Sequence, residues 1–386
     1  MFKPDCKVFE ERREIFFKKL NGKAAIIPSS SLVRHHADCE YPFRQDSNFW
    51  YLTGFDEPDS IALFLSHKPK GERFILFVAP KDILSEVWHG FRWGIEGAER
   101  EFKADKAHSI SDFKDLLPVY ISDSEEIVYS IGKHTKIEKI VLEIFSQQQE
   151  ARSRVGIGAN SIKSPEIYLN EMRLIKSDFE INRMREATQI SAEAHELVRK
   201  SISSKKNERQ IQGLIEGFFL EKGARGPAYN SIVASGDNAC ILHYTLNNSE
   251  LNNGDLLLVD AGCSLIDYYN GDITRTFPIG GKFSKEQKLI YEIVLEAQKN
   301  AIKNSVKGSN STNVHNVALR ILVEGLKEIG LLRGDTDGII ENGSYKHLYM
   351  HRTGHWLGLD VHDVGAYRMG EYDVPLQNGM ILTVEP

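Results

Sequence analysis

Apolar positions fall in short blocks through the first part of the chain and at helical spacing through much of the second. Residues 10–20 carry the helical spacing early. Apolar runs follow at 24–27, 49–52, 61–65 and 74–78, separated by Gly, Pro, Asp and Lys, and these predict strands. Helices are predicted over 111–117 and 137–149. The stretch 156–164, rich in Gly, Ser, Asn and Lys, is the best candidate for a domain boundary.

Beyond it the signals are sharper. Ser177 with Glu180 three residues on is a capping-box pattern. Ile181, Met184, Ala187, Ile190, Ala194, Leu197 and Val198 then recur at helical spacing. A second helix is predicted over 207–222, stopped by Gly223, with strands around 232–234, 256–260 and 272–277. Ser284 and Gln287 repeat the capping logic and open a helix to about 304. Another helix is predicted over 312–329, and a final β-rich part from Tyr349. The order is helix pair, strands, helix pair, strands. It predicts a mixed α+β fold in which residues 171–386 form a unit with helices outside and a curved sheet inside, preceded by an α/β domain over 1–170.

Length supports two domains, since 386 residues exceed one ordinary core. A net charge of −6 without a basic block argues against nucleic acid or an anionic membrane as partner. No apolar stretch approaches the ~18 residues a membrane span needs, and no signal peptide is read at the N-terminus. Cys6, Cys39, Cys240 and Cys263 lack metal-ligand spacing. They are expected to be reduced, mostly buried thiols of a cytoplasmic protein.

Asp260 ends the apolar run Leu256-Leu257-Leu258-Val259, and Asp272 follows a loop-like stretch. A hairpin would set the two carboxylates side by side at its open end, where their repulsion asks for a cation. Alone, the pair could equally be a strand terminus and a turn cap. His347, His351, His355 and His362 crowd one stretch, and Glu385 ends the run Met380-Ile381-Leu382-Thr383-Val384. Asp260, Asp272, His355 and Glu385 would make an oxygen-rich site suited to Mn²⁺ or a similar ion. Gly354 and Gly358 argue against a helical zinc site. His243, on a predicted strand, would by itself be read as a core histidine.

Taken together, these segments resemble aminopeptidase P, a pita-bread metallopeptidase family. The resemblance rests on Tyr229-Asn230-Ser231, His243-Tyr244, Val259-Asp260-Ala261-Gly262, Gly271-Asp272-Ile273-Thr274-Arg275-Thr276, Gly354-His355-Trp356-Leu357-Gly358 with His362-Asp363, and Thr383-Val384-Glu385-Pro386. In the first half, residues 38–55 resemble that family's N-terminal domain. The resemblance implies an N-terminal domain of ribonuclease-H-like character and a C-terminal pita-bread domain. It also implies two divalent ions, expected to be Mn²⁺, held by Asp260, Asp272, His355 and Glu385.

The implied substrates are peptides with proline at the second position, cut after their first residue. Glu385 would guide a proton of the attacking water. His351 or His362 would stabilise charge on the scissile carbonyl, and His243 would position the substrate near the leaving nitrogen. Asp260 would hold the free α-amine. The proline ring, whose nitrogen carries no hydrogen, would enter an apolar slot near Tyr229 and the histidines. Trp88 matches a family position that reaches a neighbouring subunit in a dimer or tetramer, although a packing aromatic is an equal reading. Asp38 either tunes the site or lies in a surface turn.

Two other readings stay open at this point. Prolidase shares the fold and metals but takes only dipeptides, and a non-catalytic member of the fold would bind without turnover. The family carries a fifth ligand, a bridging glutamate, downstream of Pro386, so weak metal binding and low activity are expected of these 386 residues.

Overall fold

The computed structural model describes residues 5–202 and 207–386. The chain divides into two compact units, Met1–Asn170 and Glu171–Pro386. The mixed α+β architecture is the expected one.

The first unit opens with α1 (Cys6–Leu20), β1 (Ala24–Pro28), the exposed hairpin β2 (Arg34–His36) and β3 (Cys39–Glu40), and α2 (Ser47–Thr53). It continues through β4 (Ile61–Leu65), β5 (Phe74–Val78), α3 (Ile83–His89), α4 (Gly94–Phe102), β6 (Lys106–Ser109), α5 (Phe113–Tyr120), β7 (Glu126–Val128), α6 (Thr135–Val155) and β8 (Ser161–Lys163). Six strands form one mixed sheet in the order β6-β5-β4-β1-β7-β8. Every residue of β1, β4 and β5 is buried, so these strands read as unbroken apolar runs rather than alternating ones.

One element differs from its prediction. The run Phe49-Trp50-Tyr51-Leu52 is helical, not a strand. Asp46 caps it by accepting from the backbone N–H groups of Asn48 and Phe49, and Gly54 ends it in the left-handed region at φ 65°. A short apolar run buried on all sides carries no period that separates helix from strand, and only its caps decide.

The helix α7 (Glu166–Leu174) carries the chain across the division. In the second unit α8 (Asp178–Ser201) starts at the predicted capping box of Ser177 and Glu180, and α9 (Glu208–Glu221) starts at another, Asn207 with Gln210. Between helix pairs lie β9 (Gly226–Pro227), β10 (Ile232–Ser235), β11 (Leu256–Asp260), β12 (Cys263–Ser264) and β13 (Thr274–Pro278). The sheet β10-β11-β13 is antiparallel throughout. Then come α10 (Lys285–Asn304), whose N-cap Ser284 and Gln287 form the expected box, α11 (Ser311–Glu328) and α12 (Thr336–Asn342). Ala297, Ala301, Ala318, Leu322 and Trp356 belong to the core of this helix pair.

The predicted β-rich ending is sparser than expected. Among the described residues it holds only β14 (Arg368–Met369) and β15 (Tyr372–Asp373) as strands, plus a bridge between Trp356 and Leu382. The cysteine expectation also needs correcting. Cys263 is buried, but Cys39 and Cys240 are exposed and Cys6 is half-buried.

Candidate metal and active site

The Asp pair is set by an antiparallel strand pair. Asp260 closes β11 opposite Thr274 of β13, and Asp272 lies two residues before Thr274. The carboxylates therefore meet at the loop end of this hairpin rather than at its open end. The loop folds back tightly: Ala261 N donates to the Ile273 carbonyl at 3.1 Å, and Gly271 N to the Cys263 carbonyl at 2.9 Å. A Cβ on Gly262 would strike the Gly271 carbonyl, so this close approach requires glycine.

Helix α8 braces the hairpin from behind. Ser191 Oγ accepts from Cys263 N at 3.0 Å, and the buried His195 Nε2 lies 2.9 Å from the Ala261 carbonyl. Burial drives the His195 pKa down to about 4, so it stands neutral and donates through Nε2.

The second part of the site is an irregular ribbon. Glu385 N donates to Thr353 O at 2.8 Å, Thr383 N to His355 O at 2.9 Å, and Leu357 N to Ile381 O at 3.1 Å. These bonds pair residues 353–357 antiparallel with 381–385. A Cβ on Gly354 would run into the Thr383 carbonyl. The ribbon is joined to the hairpin by buried Asn270, whose Nδ2 donates to the carbonyls of Gly358 and Leu359 at 3.0 and 2.9 Å.

The two parts bring the acidic groups and one imidazole together. His355 Nε2 lies 3.2 Å from Asp272 Oδ2 and 3.1 Å from Glu385 Oε1. Ligand atoms of Asp272, His355 and Glu385 all fall within 4.8 Å of one another. Asp260 joins through Tyr229, whose hydroxyl lies 2.5 Å from Asp260 Oδ1 and 2.8 Å from Asp272 Oδ1. Burial, with the charges of Asp272 and Glu385 behind it, pushes the Asp260 pKa up to about 6 against the opposing Tyr229 bond. Burial opposes charge on His355, but Asp272 and Glu385 outweigh it and push its pKa up to about 10.

This electrostatics fits a metal centre. Three carboxylates crowd together, and the only positive charge among these four side chains is a proton on His355 Nε2. The other ring nitrogen, Nδ1, is 2.9 Å from the Trp356 carbonyl. A proton held there leaves Nε2 as a lone pair aimed at Asp272 and Glu385, the arrangement of a histidine ligand with a carbonyl partner.

The remaining predicted residues have different settings. The exposed His362 ring sits 4.1 Å from that of His355, and burial together with the His355 charge holds its pKa below the ordinary value. The exposed His243 stands in a loop after a 3₁₀ turn, not on the predicted strand nor in the core, and its charge acts on His362. His351 is exposed, packs edge-on against Tyr349 and donates from Nδ1 to the Arg352 carbonyl at 2.7 Å. Asp38 lies in the exposed turn between β2 and β3, and Trp88 on α3 is 83% exposed.

Sequence reading missed the supports: His195, Asn270, Thr353 with its partner His315, and Arg173 with Lys176, which pair with Asp363 beside His362. None of these lies at a spacing that singles it out.

Residues 182–386 match the family model described as Metallopeptidase family M24, and residues 9–129 match that of Aminopeptidase P, N-terminal domain. The chain belongs to the aminopeptidase P group of this metallopeptidase family. It is 43% identical to the Xaa-Pro aminopeptidase of Haemophilus influenzae, covering 98% of this chain and 85% of the relative. Identity to the Escherichia coli Xaa-Pro aminopeptidase is 37%, over 98% and 86% of the two chains. The solved Pseudomonas aeruginosa aminopeptidase PepP superposes with a TM-score of 0.95 at 38% identity, covering all of this chain and 87% of that one. A Zn-substituted E. coli aminopeptidase P in complex with product superposes at 0.94 with 36% identity, over 99% and 87%.

The second unit is accordingly a pita-bread domain, and the chain is a hydrolase of a family that binds divalent metal. Prolidase and a non-catalytic role are not favoured. No helix among the described residues is long and apolar enough to cross a membrane.

Proposed function

We infer that this protein is a metal-dependent aminopeptidase that hydrolyses the bond between the first residue of a peptide and a following proline. The observation that carries the reading is the convergence of Asp272, His355 and Glu385 beside the Tyr229-linked Asp260, in a chain of this family. Asp260, Asp272, His355 and Glu385 would hold two divalent ions. Oxygen-rich ligation with one imidazole supports Mn²⁺, although the same donors accept Zn²⁺. When bound, such ions lower the pKa of water toward neutrality and polarise a carbonyl.

The chain's own groups do the rest. Glu385, held by a 2.7 Å bond from Thr383 Oγ1, takes and returns the proton of the attacking water. His362, beside His355, donates to the scissile carbonyl oxygen, or His351 takes that role. His243 positions the substrate near the leaving proline nitrogen, and Asp260 engages the free α-amine. The hydroxyl of Tyr229 is committed to the carboxylates, which leaves its ring face for the proline. Asp38 and Trp88, exposed on the first unit, are proposed substrate contacts open to a ligand or to a second copy of the chain in a dimer or tetramer. The four free cysteines support a reducing, cytoplasmic setting.

The test compares Xaa-Pro-Xaa, Xaa-Pro and Xaa-Ala-Xaa peptides in the presence of Mn²⁺. Release of the first residue from Xaa-Pro-Xaa is expected to dominate. Cleavage of the dipeptide alone would overturn the reading in favour of prolidase.

A further inference from the structure

His243 has no regular element under it. It stands in the loop between β10 and β11, where Ile241, Leu242 and Leu246 are 54%, 55% and 65% exposed. Of residues 240–248 only Tyr244 and Asn247 are buried. Apolar burial therefore does little to fix this loop. Buried polar groups do it instead: Asn247, which accepts from Val233 N at 2.9 Å and donates to the Ser231 carbonyl at 2.8 Å, and, with more bonds, Glu208 in the first turn of α9.

Glu208 is fully buried and accepts from five groups of β10 and the loop. Its Oε1 accepts from Ser235 N at 2.7 Å, Ser235 Oγ at 2.9 Å and Asn238 Nδ2 at 3.0 Å. Its Oε2 accepts from Tyr244 OH at 2.8 Å and Ser249 N at 2.8 Å. The bond to Ser249 is reciprocal, because Glu208 N donates to the Ser249 carbonyl at 2.9 Å. The start of the loop, the residue beside His243 and Ser249 further along are thus gathered on one side chain. Burial alone would raise the Glu208 pKa, but the bonds from Asn238, Ser249, Ser235 and Tyr244 hold it below the ordinary value.

The node is registered to the carboxylate site. Ser235 is the last residue of β10 and pairs with Leu257 of β11, while Ile232 pairs with Asp260. Tyr244 belongs to the buried cluster with Ile232 and Ala234, and Leu258 packs against it. His243 is therefore the immediate neighbour of a residue tied at its ring to the strands bearing Asp260 and at its hydroxyl to Glu208. We propose that Glu208 is the positioning residue for His243, fixing through Tyr244, Ser235 and Ser249 where the imidazole stands relative to Asp260. This rests on the reading of His243 as a substrate contact.

The test is a double-mutant cycle on Xaa-Pro-Xaa turnover with hydrogen exchange read on the same proteins. Glu208→Gln keeps size but turns an NH₂ toward groups that donate. It is expected to lower kcat/KM about 10- to 100-fold by misplacing a contact. In a His243→Ala background the same change is expected to cost less than about twofold, since the group it positions is gone. Exchange should rise across 236–249 and stay unchanged across 256–278.

A loss of equal size in both backgrounds, or unaltered exchange in 236–249, would overturn the proposal. If Glu208→Gln does not fold, Tyr244→Phe enters the same cycle with a smaller expected loss. If the unmutated protein fails to cleave Xaa-Pro-Xaa, the functional reading fails, and the exchange measurement still decides the role of Glu208 in the loop.

Discussion

Lys176 Nζ stands 3.0 Å from Asp363 Oδ2 with both side chains 1% exposed, and Arg173 Nη2 closes on Oδ1 at 2.5 Å. Arg173 also reaches Asp360 Oδ2 at 2.7 Å. One buried carboxylate thus faces two cations from the α7–α8 junction, in the residue next to His362. Burial works against charge on Arg173, but Asp363 and Asp360 outweigh it and hold its pKa above the ordinary value.

Replacing Asp363 by Asn should therefore leave Lys176 and Arg173 undercompensated. The expected destabilisation is about 3–5 kcal/mol, the cost of breaking a buried pair from one side. Lys176→Met should cost less, because Arg173 still neutralises Asp363. Urea unfolding midpoints measure both, and a smaller loss for Asp363→Asn than for Lys176→Met would contradict this account.

Two buried histidines predict a pH-dependent stability. Burial pushes His195 down to about 4, and burial with the charges of Arg352 and His351 does the same to His315. The unfolded chain titrates near pH ~6.5. Between pH ~6.5 and about 4 the unfolded state binds protons that the folded state refuses, so stability falls as pH falls through that window. Each group contributes a slope of at most about 1.4 kcal/mol per pH unit, and no further loss below its folded pKa. Unfolding measured at several pH values should show a shallower acid slope for His195→Gln than for the unmodified chain.

The ribbon makes a steric prediction. Gly354→Ala puts a methyl group against the Thr383 carbonyl, between the residues that carry His355 and Glu385. Repacking cannot relieve a clash with backbone cheaply, and about 1–3 kcal/mol of stability should be lost. Turnover should fall further than stability explains, because the two side chains separate. Retained kcat/KM in a folded Gly354→Ala protein would show that the ribbon is not needed for the site.

Much of this molecule is legible in the sequence, and the reasons are local. Ser177 and Ser284 announce α8 and α10 because a capping box is a short-range device. Asp260, Asp272, His355 and Glu385 stand out because carboxylates and imidazole are costly to crowd without a purpose. The helix of Phe49 to Leu52 was hidden by burial on every side, which erases periodicity. His195, Asn270 and Glu208 were hidden for a different reason. Each acts on backbone groups that only the tertiary fold brings near, 66, 88 and 27 residues away in the bonds to Ala261, Gly358 and Ser235. The loop setting of His243 follows from the same limit, since no strand pattern separates an apolar loop from an edge.

Metal should stabilise the fold through the same carboxylates that make its absence unfavourable. Asp260, Asp272 and Glu385 repel one another, and Tyr229 offers a single hydroxyl hydrogen to two of them. A divalent ion that binds only the folded state adds about 2.7 kcal/mol at a hundredfold excess over its Kd. The melting temperature should therefore rise with Mn²⁺ and return to its starting value with a chelator. Tyr229→Phe keeps the ligands but removes the hydroxyl that orients two of them, and metal affinity should drop about 10- to 100-fold. His355→Ala should abolish the rise altogether. Calorimetric titration of the three proteins measures the order expected here: unmodified chain, then Tyr229→Phe, then His355→Ala. Equal affinity for Mn²⁺ in the unmodified chain and His355→Ala would place the ion elsewhere.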